Sequence, residues 1–291
     1  MMRRPAALIV LCASLVLATQ ALAAELPQRW VSAGGALSEW ISALGGERQL
    51  VGVDTTSQHP ESLKSLPSIG YQRQLSAEGI LSLRPDVLVG TEEMGPPPVL
   101  AQVRKAGVRV ELFSSKAELD AVDDNLQRLG SLLGAEQKAA ELTAGYHWQL
   151  DALQARVKQA QASQKAPGVL LLVGHAGAKP LIAGLGTSGD WLLRQAGARN
   201  LAEHPGYKNF SVEALAALDP DVLIFSDRSL DGEQALQALF KENPALAASR
   251  AVREKRLVAL DPTLLVGGLG PRLPATLTAL AEAFYPVAKA Q

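Results

Sequence analysis

The chain has 291 residues, with 28 basic and 29 acidic side chains, a net charge of −1 and a single cysteine. So even a balance argues against a general binder of nucleic acid or anionic membranes, and one cysteine excludes an internal disulfide framework. The length suffices for one large domain or for two lobes, each with its own core.

Residues 1–23 read as a targeting segment. Arg3 and Arg4 give a positive start, Ala6–Ala18 is an apolar run, and Ala21-Leu22-Ala23 is a small-x-small cleavage site. The run is too short for a membrane span of roughly 20 residues. Cys12 lies inside it, not placed for a lipid anchor, and leaves with the segment when cleavage occurs near Ala23. Removing Arg3 and Arg4 from the 28 basic residues leaves 26 against 29 acidic. The expected address of such a cysteine-free exported chain is the bacterial periplasm, reached through a Sec-type signal.

A first lobe is expected over residues 24–134. It opens at Trp30-Val31-Ser32 and Gly34-Gly35, continues with Leu37–Leu44 at helical spacing, and reaches a buried strand at Leu50–Asp54. A polar loop, Thr55–His59, follows. The stretch Gly70–Gly90 then reads as a loop presenting Tyr71 and Arg73, a short helix and a strand at Asp86–Val89. A loop at Thr91–Pro98, a helix at Val99–Ala106 and a strand at Val108–Phe113 complete a mostly parallel sheet covered by helices. Such sheets bind ligands at the carboxyl ends of their strands.

Apolar residues recur at helical spacing from Leu119 to Leu133 and again from Leu142 to Val157, with Gly134 between two helices. The second helix, about Ala135–Ala162, is long enough to join two lobes, so residues 135–165 are assigned as an inter-lobe helix. The second lobe, 166–291, repeats the scheme: a strand at Val169–Val173, the segment Leu181-Ile182-Ala183, a loop at Gly184–Gly189, helices near Asp190–Ala196 and Glu233–Phe240, a strand at Arg256–Leu260, and a terminal helix over Leu273–Phe284. An internal repeat supports this division. Ser76, Glu78, Leu83, Pro85, Asp86, Val87 and Leu88 match Ser211, Glu213, Leu218, Pro220, Asp221, Val222 and Leu223, and Tyr207 echoes Tyr71. The expected class is α/β: two lobes, each with a central mostly parallel sheet flanked by helices, joined by one long helix, with the two tyrosine loops facing across a cleft.

Chemistry-bearing residues are few. Gly184-Leu185-Gly186-Thr187-Ser188-Gly189 fits a dinucleotide pattern but does not follow a lobe's first strand, so a tight ligand-facing loop is the better reading. His59, His147, His175 and His204 are scattered singly, unlike a zinc site. His147 reads as a surface or packing residue beside Trp148. His175 follows a strand end and is expected to border the cleft. No nucleophile elbow of a serine hydrolase is present, so a secreted enzyme is the disfavoured alternative. In an extended loop Tyr71 and Arg73 point the same way, and a guanidinium beside a phenol favours the phenolate, an anionic oxygen suited to ferric iron. On residues alone two readings stand: a ligand tyrosine, or a loop tyrosine packed on its own lobe.

The Gly70-Tyr71-Gln72-Arg73 loop, Ala77-Glu78-Gly79-Ile80-Leu81, Arg84-Pro85-Asp86-Val87-Leu88, Glu92-Glu93-Met94-Gly95-Pro96-Pro97, Ala183-Gly184-Leu185-Gly186-Thr187 and Pro220-Asp221-Val222-Leu223 resemble the periplasmic haem-binding proteins of bacterial haem-uptake ABC transporters. These are solute-binding proteins with a helical backbone between lobes. The resemblance spans the mature chain; Gly-Tyr-x-Arg is the part that points to haem rather than to a ferric siderophore or corrinoid. It implies a monomeric, non-enzymatic carrier of haem b with Tyr71 as axial ligand and Arg73 as that ligand's partner. It also implies His175 as ligand of a second haem, and Glu92 or Glu93 with Glu233 as acids that dock a membrane permease. Tyr207 and Arg228 complete the expected haem contacts, with Lys179 and Lys208 as further cations for the propionates.

Overall fold

The computed structural model describes residues 26–286, except 176–177, 210–213, 215–216, 228–236, 238–239, 242–245 and 247. The targeting segment and most of the helix expected at 233–240 therefore lie outside the described residues. In the first lobe β1 (Trp30–Ala33), β2 (Leu50–Val53), β3 (Val87–Thr91) and β4 (Arg109–Phe113) form one parallel sheet in the order β2-β1-β3-β4. Helices α1 (Gly35–Ala43), α2 (Ala77–Ser82) and α3 (Pro97–Lys105) connect them. α3 starts with prolines, which cannot donate the first amide of a helix and lose nothing there.

Helices α4 (Leu119–Leu133) and α5 (Glu136–Gln161) lead out of this lobe, separated by Gly134 at φ 66, the left-handed stop that a glycine supplies most readily. The second sheet contains β5 (Gly168–His175), β6 (Ala178–Ala183), β7 (Arg199–Asn200), β8 (Tyr207–Asn209), β9 (Val222–Ser226) and β10 (Leu257–Ala259). Its order is β10-β9-β5-β6-β8, with β7 also on β5. Between β6 and β7 runs α6 (Ser188–Gln195); α7 (Arg250–Arg253) precedes β10, and α8 (Leu273–Phe284) ends the described chain.

The second lobe departs from a plain repeat. β7, β9 and β10 run parallel within it, but β6 is antiparallel to β5 and β8 antiparallel to β6. His175 pairs with Ala178, and a connection that short can only join antiparallel strands. The repeated joint itself is reproduced closely. Asp86 Oδ2 accepts the amides of Gln28 and Arg29, each at 2.9 Å, and Asp221 Oδ2 accepts that of Gly168 at 2.7 Å. Two residues earlier, Arg84 (φ 48) and Asp219 (φ 37) make the same left-handed turn. Each aspartate fastens the start of its lobe's first strand to the strand beside it.

Strand alternation divides the interior into three cores. Trp30, Val87 and Val89 on the first sheet and Val169, Leu171, Val222 and Ile224 on the second share one cluster with α4, α5 and α8. The opposite faces bury Val31, Leu88 and Ile80 in one separate core, and Leu170, Leu172 and Leu223 in another. α5 runs through the shared core. Tyr146 meets Trp40 of the first lobe at 5.6 Å between ring centroids, and further along Gln154 and Gln161 bond Gln195 and Gly197 of the second. At 26 residues it spans about 39 Å.

A second tie accompanies the helix. Arg272 Nη2 and Nε donate to the two oxygens of Glu39 at 2.8 and 3.0 Å, Nη1 to Asp261 at 2.8 Å, and Nη2 also to Thr263 at 2.7 Å. His59 lies 2.8 Å from Asp261, and Trp40 Nε1 donates to the Leu269 carbonyl at 2.9 Å. Glu39, Trp40 and His59 belong to the first lobe, the others to the segment after β10. This segment packs so closely that a Cβ on Gly268 would touch Ser114 and Ser115 at 3.3 Å.

Glu39 is only 7% exposed, so removing its partner leaves a buried charge. Arg272→Met is expected to lower unfolding free energy by about 2–4 kcal/mol, below the full range for a buried pair because the guanidinium keeps some solvent. Lys64→Met, breaking the exposed Lys64–Glu61 pair, should change it by no more than about 0.5 kcal/mol. Burial works to raise the ionisation of Asp261, but bonds from Thr263 and Arg272 and the Arg272 charge outweigh it and hold it low. Its contribution is therefore complete above the ordinary carboxylate range and lost as pH falls through the lowered value. Denaturant titrations of both variants test this, and equal losses would refute the tie.

Candidate functional site

The contacts of His59, Ser114 and Gly34 with Asp261, Gly268 and Gly267 show that the carboxyl edges of both sheets face one another. Loops leaving the first edge carry the expected site. Gly70, at φ 85, turns the chain, and its carbonyl accepts the Thr55 amide at 3.0 Å. Tyr71 O then accepts Gln74 N at 2.8 Å, so Tyr71 to Gln74 form a tight turn rather than the extended loop that the i, i+2 reading assumed. The cause is a clamp: Gly95 N donates to Gln72 O and Leu75 N to Gly95 O, each at 2.9 Å. The turn is thus fastened to the one after β3, and Ser76 caps α2 through its hydroxyl.

The four tyrosines have distinct fates. Tyr146 is buried against Trp40, and burial pushes its ionisation up, away from a phenolate. Tyr285 is buried and donates to Gly197 O at 2.5 Å. Tyr207 was expected on a loop opposite Tyr71, but it opens β8. Because β8 runs antiparallel to β6 and so along β5, Tyr207 stands at the strand end away from the cleft edge. Tyr71, half-buried, is the tyrosine left at that edge.

Arg73 reaches past the turn. Its Nη2 lies 2.6 Å from Glu93 Oε2, with side chains 52% and 35% exposed. The bond to Glu93 raises its ionisation; burial works the other way, and the charges of Glu93 and Tyr71 add to the rise. Glu92, the adjacent acid, accepts the Ser115 amide at 2.8 Å. Both first-lobe acids thus stand at the cleft rim and already hold partners.

In the second lobe His175 ends β5 at the cleft edge, but its side chain and that of Lys179 lie outside the description. Arg228 and Glu233 lie outside the described residues. Lys208 is exposed in the middle of the edge strand β8 rather than beyond a strand end. The loop Gly184–Gly189 follows β6, and at its end Ser188 Oγ donates to the Leu265 carbonyl at 3.2 Å, in the segment after β10. Its geometry is also filled from within. Thr187 caps α6, and buried Asp190 accepts Gly186 N and Asn200 Nδ2, each at 3.1 Å. A carboxylate at that helix start excludes a dinucleotide phosphate. His147 bonds Asp123 at 2.8 Å as a packing residue. Among the described residues no cluster of three or more His, Cys, Asp or Glu could hold a metal ion.

Sequence reasoning missed the layer beneath the site. Gln72 is fully buried, with Oε1 only 3.2 Å from where a Cβ on Gly34 would lie. Asp54, 2% exposed, accepts from Gly34 N, Thr56 Oγ1 and Ser57 Oγ at 3.1, 2.9 and 2.9 Å. Ser38 extends this chain to Ser32 and Ser57. The adjacent Gly34-Gly35 pair was the available signal: a Cβ on Gly35 would sit 2.5 Å from Thr56 O.

Burial raises the ionisation of Asp54 against the bonds from Thr56, Ser57 and Gly34. An acid whose folded value is raised stabilises most below its unfolded value, and that contribution is lost as pH rises through the folded value. Asp54→Asn should abolish this downward slope of stability above the ordinary carboxylate range, read by urea titration. A variant with the wild-type slope would refute the assignment.

A family model described as Periplasmic binding protein matches residues 31–264. A solved periplasmic haem-binding protein of Pseudomonas aeruginosa is 63% identical, covering 91% of this chain and 95% of that one with a TM-score of 0.88. A periplasmic haem-binding protein of Vibrio cholerae is 37% identical over 89% and 99%, at 0.78. Among curated sequences, an ABC transporter substrate-binding lipoprotein of Bacillus subtilis (strain 168), itself uncharacterised, is 27% identical over 89% of this chain and 81% of its own. A vitamin B12-binding protein of Pectobacterium atrosepticum is also 27% identical, over 53% and 54%. These relatives are binding proteins of transport systems, not enzymes.

Proposed function

The chain belongs to the periplasmic binding protein family, and from that premise we propose that it captures haem b between its lobes and passes it to an inner-membrane ABC permease. The observation that carries this reading is the 63% identity with the Pseudomonas aeruginosa haem-binding protein over nearly the whole chain. Placement of the Gly-Tyr-x-Arg turn at the cleft edge supports it. Haem presents two apolar faces, an iron that takes an anionic oxygen, and two propionates. Tyr71 supplies the axial phenolate and Arg73 the positive charge that favours it. Arg228 and Lys179 are the second-lobe cations proposed for the propionates. His175 is the proposed ligand of a second haem, and a titration endpoint of one equivalent or two decides that. Residues 1–23 direct the chain to the periplasm, where it acts as a monomer. Glu92 or Glu93 with Glu233 dock the permease; Glu93 would exchange Arg73 for a permease cation.

The test is a ferric haem titration of the mature protein followed at the Soret band. The wild type should give a five-coordinate, high-spin complex with a tyrosinate-to-iron charge-transfer band. Tyr71→Phe should remove that band and weaken binding at least about tenfold, whereas Tyr207→Phe should keep it. A band that survives in Tyr71→Phe would overturn the ligand assignment. Spectral response to a corrinoid but not to haem would favour the vitamin B12 alternative.

A further inference from the structure

We propose that Arg128 guards the open edge of β4, and that without it β4 pairs with β4 of a second copy of this chain. The first sheet has two outer strands, β2 and β4. β2 is covered by the chain itself: Val53 N donates to Pro67 O at 3.0 Å, and Val53 O accepts Ile69 N at 2.9 Å. Among the described residues no backbone segment covers β4 in this way. Arg109 N donates to Asp86 O and Phe113 O accepts Glu92 N, so Arg109, Glu111 and Phe113 turn their backbone groups toward β3. Val110 and Leu112, the residues between, turn theirs outward. Beside this edge lies a groove of about 570 Å³, lined by Arg109 and Glu111 of β4 and by Asn125 and Arg128 of α4.

Arg128 closes the edge with a single side chain. Its Nη1 donates to Leu112 O at 2.8 Å and its Nη2 to Glu111 Oε2 at 3.0 Å, while the guanidinium lies 4.5 Å from the centre of the Phe113 ring. A charged side chain laid over an edge carbonyl takes an acceptor that an incoming strand needs. The strand behind it is self-complementary. In an antiparallel pair with Val110 opposite Val110, the two valines exchange both of their outward hydrogen bonds. Arg109 of each copy then stands opposite Glu111 of the other, and opposite charges set directly across two strands favour that register. Within one chain Arg109 Nε holds Glu111 Oε1 at 2.6 Å and Arg128 holds the other oxygen. Removing Arg128 therefore frees Leu112 O and Glu111 Oε2 together, the two acceptors that a second β4 would use. Leu112, 39% exposed, would be covered by the same pairing.

The experiment is sedimentation velocity of the mature chain over a concentration series, for the wild type and for Arg128→Met, which keeps an unbranched stem against Phe113 but donates no hydrogen bond. The wild type should sediment as a monomer throughout. Arg128→Met should rise toward twice that mass through the micromolar range. Adding Val110→Pro should restore the monomer, because proline removes an outward amide and costs β4 no bond to β3. Arg109→Glu in the Arg128→Met background should restore it too, by setting a glutamate opposite Glu111. A monomeric Arg128→Met with native circular dichroism overturns the inference, as does a dimer indifferent to Val110→Pro. A wild type that already pairs through this edge overturns it as well. Arg128→Gln, shorter but still polar, repeats the test should the methionine variant not fold, and is read by the same outcomes.

Discussion

The cleft depends on the guanidinium of Arg272, held by Glu39 of one lobe and by Asp261 and Thr263 of the other. A single helix between lobes resists bending along its axis but allows rotation about it. Adding a fixed point far from that helix in sequence removes this freedom. With Trp40 bonded to Leu269 and His59 to Asp261, the segment after β10 lies against the first lobe's strand ends. The edge that carries Tyr71 is thus set at a defined distance from the edge that carries His175.

The two arginine centres show how burial changes the work done by the same chemistry. Arg272 and Glu39 are largely withdrawn from water, so their pairing is rigid and its loss is costly. Arg73 and Glu93 remain wet, so their pairing is weak and replaceable. The first arrangement suits a frame. The second suits a place where a ligand must be accepted and later given up.

Much of the frame was legible because parallel strands are continuous apolar runs. Leu50-Val51-Gly52-Val53 and Val87-Leu88-Val89 announce themselves, as does the glycine stop between α4 and α5. The Pro-Asp-Val-Leu repeat pointed to paired lobes, and Asp86 and Asp221 prove to do the same job. The second lobe's antiparallel hairpin was not legible, since strand direction leaves no mark on a short apolar run. That error put Tyr207 on a loop facing the cleft, whereas it opens β8. The Glu39–Arg272 pair was equally hidden, because its residues lie 233 positions apart and charge alone does not name a partner. Tyr71 could be found from the sequence; Glu93 as the holder of Arg73 could not.

The shared core has a consequence for the order in which the molecule can form. α5 and α8 both pack in the core that the inner faces of the two sheets share, and α8 follows every strand of both lobes in sequence. That core is therefore incomplete until α8 docks, whereas the outer core of the first lobe draws only on residues 31–110. The continuity that stiffens the finished protein thus also makes the closing of its shared interior a late event.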